Sequence, residues 1–194
     1  MSETEISTHD EFSLSGQLLI AMPNMLDPGF AGAVVYLCEH SGKGAMGLVI
    51  NRPTDLAIEG LLEKINVDVA GYLPAHFPVM MGGPVASERG FVLHTEPLDW
   101  NSSLKVNDQI SLTTSRDILE AVARGEAPGK WLITLGYAGW SEGQLEEELV
   151  QNAWLTVPAN HEILFDTPPE ERFTSAYAML GIDPALMSGA AGHA

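Results

Sequence analysis

Positive charge is what this sequence has least of: Lys and Arg together number 9 against 26 Asp and Glu, a formal net charge of -17. Such a field repels phosphate backbones and anionic lipid headgroups. A nucleic-acid binder draws much of its affinity from neutralising phosphates. Here Lys43, Lys64, Lys105, Lys130, Arg52, Arg89, Arg116, Arg124 and Arg172 stand singly, so direct nucleic-acid binding is disfavoured unless folding gathers several of them. Cysteine is nearly absent as well. Cys38 alone excludes an internal disulfide and suits a reducing compartment. No apolar run approaches the roughly 18 residues of a membrane span. The opening MSETEISTHDEF carries four acids and no base, unlike a secretory signal. The expected compartment is the cytoplasm.

What is present describes a globular chain. Its 194 residues are 45% hydrophobic, with four tryptophans and a mean hydropathy of +0.07, and a chain of this size buries about 70% of its unfolded surface. We expect one domain over residues 12–183, preceded by a disordered acidic tail at 1–11 and followed by a flexible tail at 184–194. Strands are predicted at 14–21, 33–38, 45–50, 79–81, 90–94, 109–113, 130–136 and 154–157 from β-branched or apolar runs bounded by turn residues. The second and third of these form a hairpin with a six-residue loop. Helices are predicted from the spacing of Ile58, Leu61, Leu62 and Ile65, of Ile118, Leu119, Val122 and Ala123, of Leu145, Leu149 and Ala153, and of Phe173, Ala176, Tyr177 and Leu180. Strands alternating with isolated helices and no internal repeat define an α+β or mixed α/β fold.

The stretch GYAGWSEGQLEEE, from Gly136 to Glu148, raises the sharpest functional question. Its spacing has a structural account: a strand ends at Gly136, glycines turn the chain, and Ser141 with Gln144 forms a capping box for the next helix. The alternative is a pocket walled by Tyr137 and Trp140, around Gly139, with the amides of 141–143 at its base. Gly82-Gly83-Pro84 reads as a sharp turn with exposed backbone, and neither stretch has the form of a phosphate-binding loop.

Among reactive groups, Cys38 and His40 share one face of a regular strand, so an imidazole there lowers the thiol pKa if the strand runs that far. The competing reading is a buried cysteine and a loop histidine. His9, His40, His76, His94, His161 and His193 stand apart, with no metal-binding spacing. No metal and no cofactor are expected. His94, closing a predicted strand, is the next candidate after His40. Arg52, between Asn51 and Pro53 at a strand end, is an isolated cation for which pairing with a carboxylate is the ordinary fate. No Ser lies in a G-x-S-x-G elbow.

Several motifs in this order resemble the YqgE/AlgH family of small bacterial proteins, usually described as uncharacterised. The matching segments are GQLLIAMPNMLDPGFAGAVVYLCEHSGKGAMGLVINRPTD (Gly16 to Asp55), GGPVASERGFVLH (Gly82 to His94) and GYAGWSEGQLEEEL (Gly136 to Leu149), with Trp154 soon after. The likeness covers roughly residues 12–183. It implies a single domain with a bent or barrel-like β-sheet flanked by helices, inside a Gram-negative-type bacterium. One branch of the family carries the label of transcriptional regulator through a link to alginate control, and no DNA-binding motif accompanies it here. The resemblance supplies no catalytic residue. Its motif residues Asn51, Arg52, Pro53, Gly82, Gly83, Pro84, His94, Tyr137, Gly139 and Trp140 enter as pocket candidates only. The function this leaves is a regulatory or binding module acting through a protein partner or a small molecule, of unassigned oligomeric state. The alternatives are a thiol-dependent enzyme or redox-responsive protein using Cys38, and a regulator that contacts nucleic acid directly.

Overall fold

A computed structural model describes residues 12–25, 27–69, 73, 76–96, 100–127 and 129–181. The two expected tails therefore lie outside the described residues. Among the described residues nine strands form one sheet: β1 (Gln17–Ala21), β2 (Val34–Ser41), β3 (Gly44–Val49), β4 (Met80–Met81), β5 (Val85–Thr95), β6 (Ser103–Lys105), β7 (Ile110–Thr113), β8 (Trp131–Trp140) and β9 (Trp154–Pro158). Their order is β6-β7-β5-β8-β3-β2-β1-β9, with β4 lying parallel to β8 off this path. Every other pairing is antiparallel. The sheet curls into a half-barrel and helices cover it, an α+β single domain. Among the described residues no helix is long and apolar enough to cross a membrane.

Alternation along the strands produces three cores. Leu18, Ile20, Val34, Tyr36 and Leu48 face the inside of the curl, where they meet Leu93, Leu112 and Leu132 from the other half. Helix α4 (Arg172–Met179) and a π-helical turn at Glu162–Asp166 close that interior with Tyr177 and Leu164. The opposite faces of β1 and β2, carrying Leu19, Val35 and Leu37, pack under α3 (Gln144–Val150) through Leu145. The outer side of β5 and β8, with Val92 and Ile133, packs under α1 (Ile58–Lys64) and α2 (Arg116–Ala123) through Leu62, Ile118 and Val122. The period of two on the strands is what lets a single sheet serve an inner and two outer cores.

Strand β8 departs most from expectation. It continues past Gly136 to Trp140 and changes register on the way: Trp131 to Leu135 pair with Gly90 to His94 of β5, Tyr137 pairs with Val85 after a register shift, and Ala138 to Trp140 pair with Gly47 to Ala45 of β3. Gly136, at φ +75°, makes the bend between those two registers, the role glycine takes at the corner of a curled sheet. A Cβ there would overlap the Gly83 carbonyl oxygen and lie 3.1 Å from Ser87 Cα. The Gly-Tyr-Ala-Gly-Trp stretch is therefore a strand joining the two halves of the half-barrel.

Other boundaries moved for local reasons. The β2–β3 hairpin is tight, with Ser41 opposite Gly44, because β2 runs past Cys38. Helix α3 starts at Gln144 behind Gly143 in the left-handed conformation; only half of the expected capping box forms, the Gln144 carbonyl accepting the Ser141 amide at 3.0 Å. β6 is three residues long, and the first half of β5 is exposed, so neither carries an apolar signal.

Arg172 is the largest fully buried side chain. It donates to the carbonyls of Ile50 and, at 2.9 Å, Thr167, and its Cζ lies 5.2 Å from the Phe77 ring centre. Burial pushes its pKa down to about 10, so the guanidinium stays charged at neutral pH. It pins the π-helical turn and α4 to the end of β3 by charge-assisted hydrogen bonds.

Candidate functional site

The loops carrying the sequence motifs meet as packed backbone. Gly82 donates to Leu135 O and accepts from Val49 N, both at 2.8 Å. A Cβ on Gly82 would stand 2.6 Å from Thr134 Oγ1, and one on Gly83 would collide with the carbonyl carbon of Tyr137. Glycine is required there because three segments of the chain run closer together than any side chain permits.

On the solvent side of this junction lies a recess of about 520 Å³. Gly83 and Pro84 form one edge, with Met81 and Ser87 beside them; Asp27, Gly29 and Phe30 form the other, and Val49 and Arg52 lie between. The far edge is positioned by side-chain clamps. Asn51 Oδ1 accepts from Val34 N at 2.9 Å while its Nδ2 donates to Gly32 O at 2.8 Å. Arg52 donates to the carbonyls of Gly29 and, at 2.8 Å, Ala31. Asp27 Oδ1 accepts the Gly29 amide at 2.8 Å, the Asx-type closure that the Asp-Pro-Gly turn implies. Phe30 rests its ring against Trp140 at 6.2 Å and Trp154 at 5.7 Å.

Arg52 does not have the expected carboxylate partner: among the described residues its hydrogen bonds go to backbone carbonyls, and it makes no ion pair. Two hydrogen bonds leave three guanidinium N–H groups for other acceptors. The recess thus holds a fixed cation beside the apolar surfaces of Phe30, Val49, Met81 and Pro84.

Of the candidates drawn from sequence, Arg52, Gly83 and Pro84 line this recess; Asn51 and Gly82 support it from behind. Pro53 sits on an exposed bridge to Met80. Tyr137 and Trp140 are not part of its lining: Tyr137 packs edge-on to Phe91 at 5.5 Å, and Trp140 is buried against Phe30 and Trp154. Gly139 is exposed away from the recess lining. The Ser141 amide is bonded to the Gln144 side-chain carbonyl at 3.0 Å, so one of the three amides of the expected 141–143 floor already has its acceptor. Asp27, Phe30, Met81 and Ser87 escaped the sequence reading. The Asp27-Pro28-Gly29 turn marks a bend near Asp27 and Phe30 but not its direction, and nothing in the sequence marks Met81 or Ser87.

Cys38 and His40 do not meet. The β2–β3 register slips between Leu37 and Glu39, so Cys38 is an extra residue on β2, and such a bulge inverts the face of everything beyond it. Cys38 faces the inner core with its Sγ 3.7 Å from Tyr36 O, and burial raises its pKa strongly, the reverse of an activated thiol. His40 turns to the α3 side. Its Nδ1 accepts the Leu14 amide at 2.9 Å, which fixes Nε2–H as donor to Glu146 Oε1 at 2.5 Å. That bond holds the Glu146 carboxyl below its usual range and ties residue 14 to α3.

His94 is a buried strand residue. Its Nδ1 donates to Thr95 O at 3.0 Å and its Nε2 accepts from Thr113 Oγ1 at 2.6 Å. Desolvation lowers its pKa, and both ring nitrogens are satisfied. Among the described residues no group of three or more His, Cys, Asp or Glu is placed to hold a metal ion.

A curled, mostly antiparallel sheet with a glycine-sealed junction and an adjoining arginine recess defines a small α+β domain of half-barrel type. The AlgH-like family model, DUF179, matches residues 18–185, and the chain belongs to this YqgE/AlgH family. A UPF0301 protein of Burkholderia vietnamiensis is 54% identical over 187 residues, 95% of this chain and 97% of its own length. A UPF0301 protein of Bordetella petrii is 56% identical over 180 residues, 93% and 89% of the two chains. The solution structure of the AlgH protein from Pseudomonas aeruginosa superposes with a TM-score of 0.77 at 48% identity, covering 100% of each chain. A crystal structure of a Corynebacterium diphtheriae protein shares the fold at 18% identity, with a TM-score of 0.72 over 91% of this chain and 92% of that one.

Proposed function

We propose that this chain is a cytoplasmic binding module, with residues 12–183 acting as one unit and the Arg52 recess taking a small ligand that joins an anionic group to an apolar body. The observation that carries this reading is the Arg52 guanidinium, held in place by carbonyls and unpaired with any carboxylate among the described residues, beside Phe30, Val49, Met81 and Pro84. A positioned arginine matches a carboxylate or phosphate in two parallel hydrogen bonds, and the apolar walls favour the remainder of the ligand. Met81 and Val85, each 40% exposed, place apolar surface at and beside the mouth, so occupancy alters what a protein partner meets. A regulatory role of the kind one family branch is labelled with would run through that contact.

The alternatives gain no support from the geometry. Cys38 is buried with a raised pKa. Lys105, Arg116, Arg124 and Lys130 are paired with carboxylates, and Arg172 is interior, which leaves little positive surface for a nucleic acid.

The test is a thermal-shift titration with octanoate, phenylacetate and their uncharged amides. The acids should stabilise the protein and the amides should not. Ser87→Trp, which fills the mouth from an exposed position, and Arg52→Gln should both remove the shift. Equal response to acids and amides, or a full response in both variants, would refute the reading.

A further inference from the structure

A second recess, independent of Arg52, opens at the other end of β8. It encloses about 480 Å³ between the start of α1, residues 76–77, the first residues of β8 and the π-helical turn. Its walls are rings: His76, Phe77, Trp131 and Phe165 all line it, over a floor of branched aliphatic side chains. His76 and Trp131 lie 5.8 Å apart, tilted by 36°. Arg172, which is fully buried and stacks on Phe77 from the interior, holds that ring in place. The π-helical turn, whose wide loop is closed by Thr167 N–H to Glu162 O at 2.8 Å, turns the successive residues Leu164, Phe165 and Asp166 toward one cavity. Single π-turns of this kind occur often at functional sites.

The charge at the rim decides what this cavity fits. Asp166 stands on one side, 2.5 Å from Lys130, and Glu59 on the other, 3.0 Å from His76; both carboxylate side chains are about half exposed. Among the described residues Lys130 is the one Lys or Arg in the lining. Its bond to Asp166 is a surface pair, which an entering cation can replace at little cost. The ring faces are electron-rich and attract a cation, and the chain's charge of -17 raises the local concentration of cations around it.

We infer that the His76/Phe77/Trp131/Phe165 recess is a second ligand site, for a flat aromatic molecule bearing an amidine or ammonium group. Its ring lies among the four aromatic side chains, and its cationic head takes Asp166 in exchange for Lys130. This chemistry is opposite in sign to that of the Arg52 recess, so the two sites select different ligands.

The probe is benzamidine, with benzamide and benzoate as its neutral and anionic counterparts, read by ligand-observed saturation-transfer NMR and by the fluorescence of Trp131 against a Trp131→Phe control. Benzamidine should bind and benzoate should not. Asp166→Asn should weaken benzamidine by about three- to fivefold, the range of an exposed ion pair. Lys130→Gln should strengthen it by about two- to threefold, because the competing cation is gone. Arg52→Gln and Ser87→Trp should leave it unchanged, which separates this site from the other. Equal binding of the three probes, no loss in Asp166→Asn, or weakening in Lys130→Gln would each overturn the inference; so would no binding of benzamidine to the wild-type chain. Both rim substitutions are at half-exposed side chains, and unchanged melting temperatures will confirm that they fold.

Discussion

Replacing Gly136 by alanine tests the claim that β8 is a shared strand bent at one residue. Two costs add there. The backbone has φ +75°, and moving an L-residue into that region costs about 1–2 kcal/mol. The new methyl group would also overlap the Gly83 carbonyl and approach Val85 O and Ser87 Cα, both at 3.1 Å; these are backbone atoms of a strand and its neighbour, so they cannot swing aside. Overpacking of this kind costs about 1–3 kcal/mol. The sum is about 2–5 kcal/mol, and at roughly 2–4 °C per kcal/mol for a chain of this size the midpoint should fall by about 4–20 °C. Two controls divide the terms. Gly125 has φ +70° with nothing within 4 Å of an added Cβ, so Gly125→Ala should show only the backbone cost. Gly139 does not have a positive φ and an added Cβ would touch Tyr137 Cε2 at 3.5 Å, an ordinary contact, so Gly139→Ala should change stability by about 1 kcal/mol or less. The assay is urea denaturation followed by tryptophan fluorescence, with thermal melts alongside. If Gly136→Ala loses no more than Gly125→Ala, the close approach of the strands is not what demands glycine, and the account of the junction is wrong.

Two further outcomes follow from buried side chains. His94 has its pKa lowered by desolvation, so below the ordinary value near 6.5 the unfolded chain binds more protons than the folded one, and stability falls as pH is lowered from there toward the folded-state value; His94→Gln should reduce the slope of urea stability just below about pH 6.5, and an unchanged slope would refute the assignment. Cys38, buried with a raised pKa, should react with iodoacetamide in the native protein only as fast as unfolding exposes it; rapid alkylation whose rate climbs between about pH 6 and 8 would show an activated thiol instead.

The fold was largely legible because its main signals are local. The apolar runs at 14–21, 33–38 and 45–50 and the stripe Ile118, Leu119, Val122, Ala123 report burial directly, and burial has the period of the element. The misreadings share a cause: they occur where backbone and not side chains sets the geometry. A bulge at Cys38 reverses a face without changing composition, and Gly136 bends a strand at a residue that, taken alone, reads as a stop. The candidate site was legible only in part. Asn51, Arg52, Gly82, Gly83 and Pro84 were found because glycine, proline and a lone cation are conspicuous in an acidic chain. Phe30 and Met81 were not, since an aromatic or a methionine on a loop carries no mark of which cavity it borders. The second recess left less trace still, as its four rings come from three separate segments.

The seam at Gly82 has a consequence for how the molecule opens. Val49 donates to Gly82 O and Gly82 donates to Leu135 O, so one residue stitches the two halves of the sheet and neither half can peel away while those bonds persist. Amide protons at Val49 and Gly82 should therefore exchange with solvent deuterium at the slowest, globally governed rate, together and through a single cooperative event.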